Sequence, residues 1–333
     1  MHYTQRPYQS ETDLPAVLAL KQLCTTPQNL YDRPTTGEMR RLLAPLAEPT
    51  TRTSEEQSGA EGLRGMSQEQ RHRALTQRLT ALWEDARGQF VAYALIAQPG
   101  SSLTFQVHPE AQGQGLEADA LAWGLAQMRL IAQTRGTPCD LWCRCHAVEQ
   151  ERRSLLEVGG FRPLFEPDLR LVHPLAAPLP PVALPQGFSL KRGVTPLEFD
   201  AYQELHQAAF DGMGINMDDH ESSAYQGELD LIAVGPSGRF GAFCQCELKL
   251  VADSQGEHLS GEVGVIGTRP ELQGQGLGRS LLLTGLRLLH ERGATSAYLE
   301  TSESNVPAQR LFASVGFVHL STWQWYAKTV EPA

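Results

Sequence analysis

The chain has 333 residues, of which 41% are hydrophobic and 20% charged, with a formal net charge of −10. That length exceeds one typical core and fits two domains, and the composition is that of a folded globular protein. The charge argues against a nucleic-acid binder, which needs a basic face; no apolar run reaches membrane-spanning length, and the polar start Met1-His2-Tyr3-Thr4 is not a signal peptide. Cys24, Cys139, Cys143, Cys145, Cys244 and Cys246 form no secreted disulfide pattern, so a reducing cytoplasm is expected. The pairs Cys143/Cys145 and Cys244/Cys246 put both thiols on one face of a strand, where cysteine behaves as a small apolar residue, and no metal is expected.

In chain order, the polar stretch from Pro49 to Arg73 reads as a loop or loosely held helix without chemistry. Leu82–Glu84 and Val91–Ile96 then read as strands around the turn at Gly88. A strand at 102–107 leads into the glycine turn Gln112–Glu117 and a helix running to about Arg135. Strand 140–145, a helix ending at Gly159-Gly160, and Leu169–His173, which would close the first sheet, follow. Five prolines between Pro174 and Gly187 exclude a helix or a central strand and predict an extended linker.

The second half repeats the order. A short strand, Phe188–Arg192, precedes a helix over Thr195–Phe210, and Leu229–Val234 and Phe240–Leu248 flank a Pro-Ser-Gly hairpin signal. Strand 261–268 enters a second glycine turn, Gln273–Gly278. Helix 277–291, strand 296–301, helix 306–315 and a last strand near 320–327 complete the list. The two turns share Gln-Gly-Gln-Gly-Leu, but Glu117 stands where the second copy has Gly278. This implies a duplicated domain with the chemistry kept in the second copy.

A glycine turn between strand and helix aims backbone N–H groups at one point at the positive end of the helix, a site for a diphosphate. Neither copy has the lysine of a P-loop. Gly113–Ala118 formally matches a dinucleotide turn, but its twin ends in Arg279 and neither copy opens its half of the chain.

Gln273-Gly274-Gln275-Gly276-Leu277-Gly278 instead resembles the Gln/Arg-x-x-Gly-x-Gly/Ala signature of the GNAT acyltransferases, which use acyl-coenzyme A. Thr268–Gln273 resembles the family's approach to that turn, and Asn305–Phe317 its second block. The resemblance covers residues 188–328 well and 1–173 as a degenerate copy. It implies an α/β fold of the α+β type: two tandem domains, each a mixed, mostly antiparallel sheet flanked by helices. The expected division is a degenerate domain over 1–173, the linker 174–187 and a catalytic domain over 188–333.

By the same resemblance, Gly274, Gly276 and Gly278 let the backbone approach the coenzyme diphosphate, with Gln273, Gln275, Leu277 and Arg279 completing the cradle. Ile266, Gly267 and Thr268 would meet the pantetheine arm, faced by Thr301 and Asn305, although Asn305 is equally suited to cap a helix. Glu262, six residues before Thr268, is the expected base; a solvated strand end is the alternative, with Glu257 and His258 as runners-up. The family's acidic tyrosine maps onto Phe312, which has no proton to give, leaving Tyr326, Ser304 or water, or no acid at all, since a thiolate is already a good leaving group.

Counting back from Gln112 sets Ser101 opposite Glu262, while Glu149 and Leu156 answer to Asn305 and Phe312. Coenzyme binding in the first copy is therefore not expected. The expected activity is acetyl transfer from acetyl-coenzyme A to a primary amine of a small molecule; a protein amine, or coenzyme sensing without turnover, are the alternatives. Acceptor residues are expected in 203–227, where Asp218, Asp219 and Glu221 could draw a cation. No nucleic-acid or membrane partner is expected, and the chain would be a monomer of two pseudo-symmetric domains or a homodimer.

Overall fold

Alternating side chains on central strands split each half into two cores. The computed structural model describes residues 2–43, 79–97, 101–176, 179, 182–212 and 225–332. The polar stretch 49–73, linker residues 177, 178, 180 and 181, and Asp218, Asp219 and Glu221 lie outside these residues.

The chain forms two compact units that are not contiguous in sequence. Unit 1 holds Met1–Pro167, Ala252–Gly256 and Ser321–Ala333; unit 2 holds Asp168–Val251 and Glu257–Leu320. In unit 1 the strands are β1 (Thr4–Pro7), β2 (Thr80–Glu84), β3 (Phe90–Ala97), β4 (Ser102–Val107), β5 (Cys139–His146) and β6 (Arg162–Pro163), joined by most of β13 (Val318–Val330). Their order is β1-β2-β3-β4-β5-β13, with β6 also paired to β13. All pairs are antiparallel except β4 with β5.

Ala92, Ala94 and Ile96 face a core shared with α3 (Leu116–Arg135), while Tyr93 and Leu95 face one shared with α1 (Ser10–Leu23) and α2 (Thr36–Leu43). Helix α4 (Gln150–Val158) follows β5. Cys143 and Cys145 lie in the first of these cores, as small apolar residues do.

Unit 2 has the order β7-β12-β11-β10-β9-β8. Its strands are β7 (Asp168–Pro174), β8 (Ser189–Arg192), β9 (Asp230–Val234), β10 (Phe240–Asp253), β11 (Gly256–Thr268) and β12 (Ser296–Ser302). Only β11 and β12 form a parallel pair among the pairings described. Helices α6 (Leu277–Glu291) and α7 (Val306–Ser314) contribute to one core, and α5 (Phe199–Ala209) covers the opposite face.

Two strands therefore lie elsewhere than their sequence neighbourhood suggests. Leu169–His173 does not close the first sheet: β7 pairs with β12 over its whole length, from Ser302↔Asp168 to Ser296↔Pro174. The last strand pairs Trp323–Val330 with β5. A strand's composition specifies extended backbone and a buried face, not which sheet edge it joins. The described residues include no helix long and apolar enough to cross a membrane.

Candidate active site

In unit 2, the turn after β11 is fixed by a buried arginine. The Arg269 N–H donates to Gly241 O at 3.0 Å, its Nε to Phe240 O at 2.7 Å, and its Nη2 to Glu204 Oε1 at 3.0 Å. A single 3₁₀ turn, Pro270–Leu272, follows, and Gln273 Nε2 donates back to Thr268 O at 3.3 Å. Gly274 and Gly276 have φ of 75° and 86°, the left-handed region that glycine occupies without cost. Gly276 is the N-cap of α6 and supplies no side-chain cap, so the first-turn N–H groups of Leu277, Gly278 and Arg279 face outward unbonded by the helix itself. The Leu277 side chain is buried in the core, while Gln273, Gln275 and Arg279 are exposed.

Strand β11 carries an irregularity that switches the faces to which its successive side chains turn. A Cβ on Gly261 would meet Leu289 of α6, and Val263 lies in the core that contains α6. Ile266 packs on that same core, whereas Val265 packs toward α5, where a Cβ on Gly267 would fall 2.6 Å from Phe243 Cε1. Side chains three apart cannot share a face of a regular strand, so an extra residue bulges at Gly264-Val265. The parallel ladder with β12 covers Gly261↔Ala297, Glu262↔Tyr298 and Val263↔Leu299, and β11 continues past it to Thr268.

Glu262 is not a solvated strand end; it is 9% exposed. The Tyr298 hydroxyl donates to its Oε2 at 3.2 Å, and Lys249 Nζ lies 3.6 Å from the same oxygen and 2.5 Å from Glu247 Oε2. Beyond Tyr298, the buried Arg170 of β7 pairs with Glu300, its Nε 3.1 Å from Oε1, and its guanidinium lies 5.9 Å from the Tyr298 ring centre. Lys249, Tyr298 and Arg170 were not among the residues expected from sequence; each belongs to a different strand, and no local motif links them. Glu257 is exposed and His258 half-buried near the far end of β11.

Asn305 Oδ1 accepts from the Ala308 N–H at 3.3 Å, so it caps α7 as its alternative role required, and Thr301 is half-buried opposite Leu169. Phe312 is buried against Phe317 in the core of unit 2. Tyr326 is removed as an acid for unit 2, because it lies in the core of unit 1, paired with Cys143 and Pro163. Ser304 is exposed, its hydroxyl 3.0 Å from that of Ser302.

Unit 1 shows what its altered residues do. Gly113 and Gly115 keep φ of 71° and 96°, but the Gly113 N–H donates to Glu117 Oε1 at 3.2 Å. The protein's own carboxylate thus takes a turn donor. Arg152 of α4 lies over the Phe105 ring of β4, 4.0 Å from its centre, with Nη2 3.8 Å from Cys143 Sγ on β5. The guanidinium therefore bridges the two parallel strands.

Leu103, Phe105 and Val107 all face one core, so β4 has no bulge. Matching the ladders Leu103↔Cys143 and Val263↔Leu299 sets Ser102, not Ser101, opposite Glu262, and Trp142 opposite Tyr298. The bulge accounts for the one-residue difference. Among the described residues, no group of three or more His, Cys, Asp or Glu side chains could hold a metal ion.

Residues 246–317 match the model of the acetyltransferase (GNAT) family. A mycothiol acetyltransferase of Pseudarthrobacter chlorophenolicus is 31% identical over 262 residues, covering 74% of this chain and 78% of that protein. Among solved structures, a GCN5-related N-acetyltransferase from Sphaerobacter thermophilus superposes with a TM-score of 0.73 at 20% identity, covering 99% of this chain and 96% of that one. A tandem GNAT protein from the clavulanic acid biosynthesis pathway superposes with a TM-score of 0.63 at 16% identity, with 100% of both chains covered.

Proposed function

The chain belongs to the GNAT acetyltransferase family, and on that footing we propose that it is an N-acetyltransferase acting on a primary amine of a small molecule, with its active site in unit 2. The observation that carries this reading is the contrast between the turns: the Gly113 N–H of unit 1 is taken by Glu117, whereas the turn Gln273–Arg279 has Gly278, without a side chain, at that position.

Acetyl-coenzyme A supplies an activated acetyl thioester. Its diphosphate fits the first-turn N–H groups of Leu277, Gly278 and Arg279 between Gly274 and Gly276, with the Arg279 guanidinium free to follow it at the surface. Past the bulge, Ile266, Gly267 and Thr268 present a strand edge to the pantetheine arm, faced by Thr301 and Asn305.

Glu262 accepts the proton of the acceptor ammonium, freeing a nitrogen lone pair. As the N–C bond forms and the C–S bond breaks, the backbone N–H near Thr268 stabilises the oxyanion, the nitrogen gives up its second proton to solvent, and the sulfur departs as a thiolate. Phe312 supplies no proton, so the chain carries no side-chain acid at that position. The relatives' name supports an acceptor of the mycothiol type, and residues 203–227 remain the proposed acceptor segment. In unit 1, Glu117 and Arg152 exclude the coenzyme, and that unit serves as scaffold.

The test is thiol release from acetyl-coenzyme A across an amine panel, comparing the wild type with Glu262→Gln. Release with at least one amine, abolished or greatly slowed in the variant, is expected. Equal rates would overturn Glu262 as base. Phe312 in the core favours one rival, coenzyme sensing without turnover; tight binding with no release on any amine would support it.

A further inference from the structure

We infer that Lys249 and Tyr298 are positioning residues that hold Glu262 ionised and aimed; this rests on Glu262 being the base. Both reach the same carboxylate oxygen, Lys249 from β10 and Tyr298 from β12, at 3.6 and 3.2 Å. A cation and a hydroxyl donor stabilise the charged carboxylate against the cost of its burial and hold it in place. Oε2 is engaged by both groups.

The second copy of the fold supports this assignment. The ladder position of the Glu262–Tyr298 pair is filled in unit 1 by Ser102 and Trp142. Where the carboxylate is missing, the hydroxyl beside it is missing too.

The surrounding charges have defined positions. On β10, Glu247 shares Lys249 and draws its ammonium to 2.5 Å. On β12, Glu300 is held by Arg170 of β7, whose guanidinium lies 5.9 Å from the Tyr298 ring centre. On α5, the His206 ring packs on Phe243 and Phe210. On β11 itself, Glu257 and His258 lie toward its beginning, outside the ladder with β12. Loss of Lys249 or Tyr298 therefore removes direct stabilisation of the Glu262 anion.

The experiment is the pH dependence of kcat/KM for thiol release with saturating acetyl-coenzyme A, in the full chain. Lys249→Met and Tyr298→Phe are each expected to move the acidic limb upward, on the order of one pH unit, so that activity just below the wild-type limb falls about tenfold. Acetyl-coenzyme A affinity stays at the wild-type value, and Lys249→Arg keeps the wild-type limb. An unmoved limb in both Lys249→Met and Tyr298→Phe overturns the positioning role, as does a Lys249→Arg limb displaced as far as that of Lys249→Met. Tyr298→Phe removes a single oxygen, so it reads the effect even if Lys249→Met does not fold. Glu262→Gln separates the two levels: wild-type rates there would defeat the base reading, whereas a dead Glu262→Gln with unmoved limbs would defeat only the positioning role.

Discussion

At Gly276 the backbone φ is 86°, where a Cβ costs about 1–2 kcal/mol, so Gly276→Ala should lower stability by about 1 kcal/mol in denaturant unfolding. Gly278 is different: its φ is ordinary, and a Cβ there would meet Thr268 Oγ1 at 3.5 Å, a normal contact. Gly278→Ala should therefore leave stability nearly unchanged. Gly278→Glu should also fold but bind acetyl-coenzyme A about tenfold or more weakly. A carboxylate ~4 Å from each phosphate charge costs about 1 kcal/mol per charge even in water-like surroundings. Calorimetric titration checks this, with circular dichroism confirming the fold; undiminished affinity would remove the reason for treating Glu117 as disabling. The difference at Gly278 was legible from sequence alone, because the two copies share Gln-Gly-Gln-Gly-Leu and part at the next residue.

Among the elements, the junction of β1, α1 and β2 in unit 1 is held by one charge cluster. Arg6 on β1 forms two bonds to Asp13 on α1, at 2.7 and 2.8 Å, and one to Glu84 on β2 at 2.7 Å, while the Gln9 N–H donates to Asp13 at 2.6 Å. The Arg6 guanidinium holds the Asp13 carboxyl below the usual carboxylate range. A depressed folded-state pKa means that this stabilisation is present above the ordinary aspartate range and lost as pH falls through the depressed value. Asp13→Asn should thus lower the thermal midpoint at pH 7, at a cost of about 1 kcal/mol, and flatten the loss of stability on acidification. An equally steep acid loss in the variant would assign that loss to other groups. These first elements were not anticipated: α1 contains Pro15, which disrupts a simple helical pattern. The start of α2 was signalled by a capping box, Thr35 with Glu38 bonded in both directions at 2.8 and 3.3 Å. The glycine turn and α6 were legible to the residue, because glycine at fixed offsets before an amphipathic run is a local signal. The bulge in β11 was not, since it appears only when Val263 and Ile266 are found in one core. A second prediction at this scale concerns unit 1. With Glu117 at its turn and Arg152 across β4 and β5, the wild type should titrate with one acetyl-coenzyme A per chain. Glu117→Gly alone should not add a second, because Arg152 still bridges the strands. Two equivalents in the wild type would show that unit 1 binds coenzyme after all.

For the whole molecule, sequence pattern revealed two similar halves but not how the chain divides between the units. Each strand, β7 and β13, was legible as a strand, and neither carries a mark of its destination. The linker 174–187 looks like a boundary by its prolines, yet β7 just before it completes unit 2, and the C-terminal residues from Ser321 belong to unit 1. A cut at the linker would therefore damage both units. A fragment of residues 188–333 lacks β7, so β12 loses a strand paired along its whole length, the core loses Leu171 and Leu175, and Glu300 loses Arg170. Losing two buried leucines costs about 2–5 kcal/mol each if their space is left empty, comparable to the whole stability of a domain. The stripped edge of β12 also becomes a template for aggregation. The fragment 188–333 should accumulate in the insoluble fraction or lack a cooperative thermal transition. A fragment of residues 1–320 should fail likewise, because β5 and β6 lose β13 and the first core loses Tyr326 and Val330. Expressing residues 168–333 restores β7 and should recover more soluble material than 188–333. If 188–333 instead folds cooperatively and releases thiol from acetyl-coenzyme A at the full-length rate, β7 is dispensable, and it has no part in stabilising unit 2.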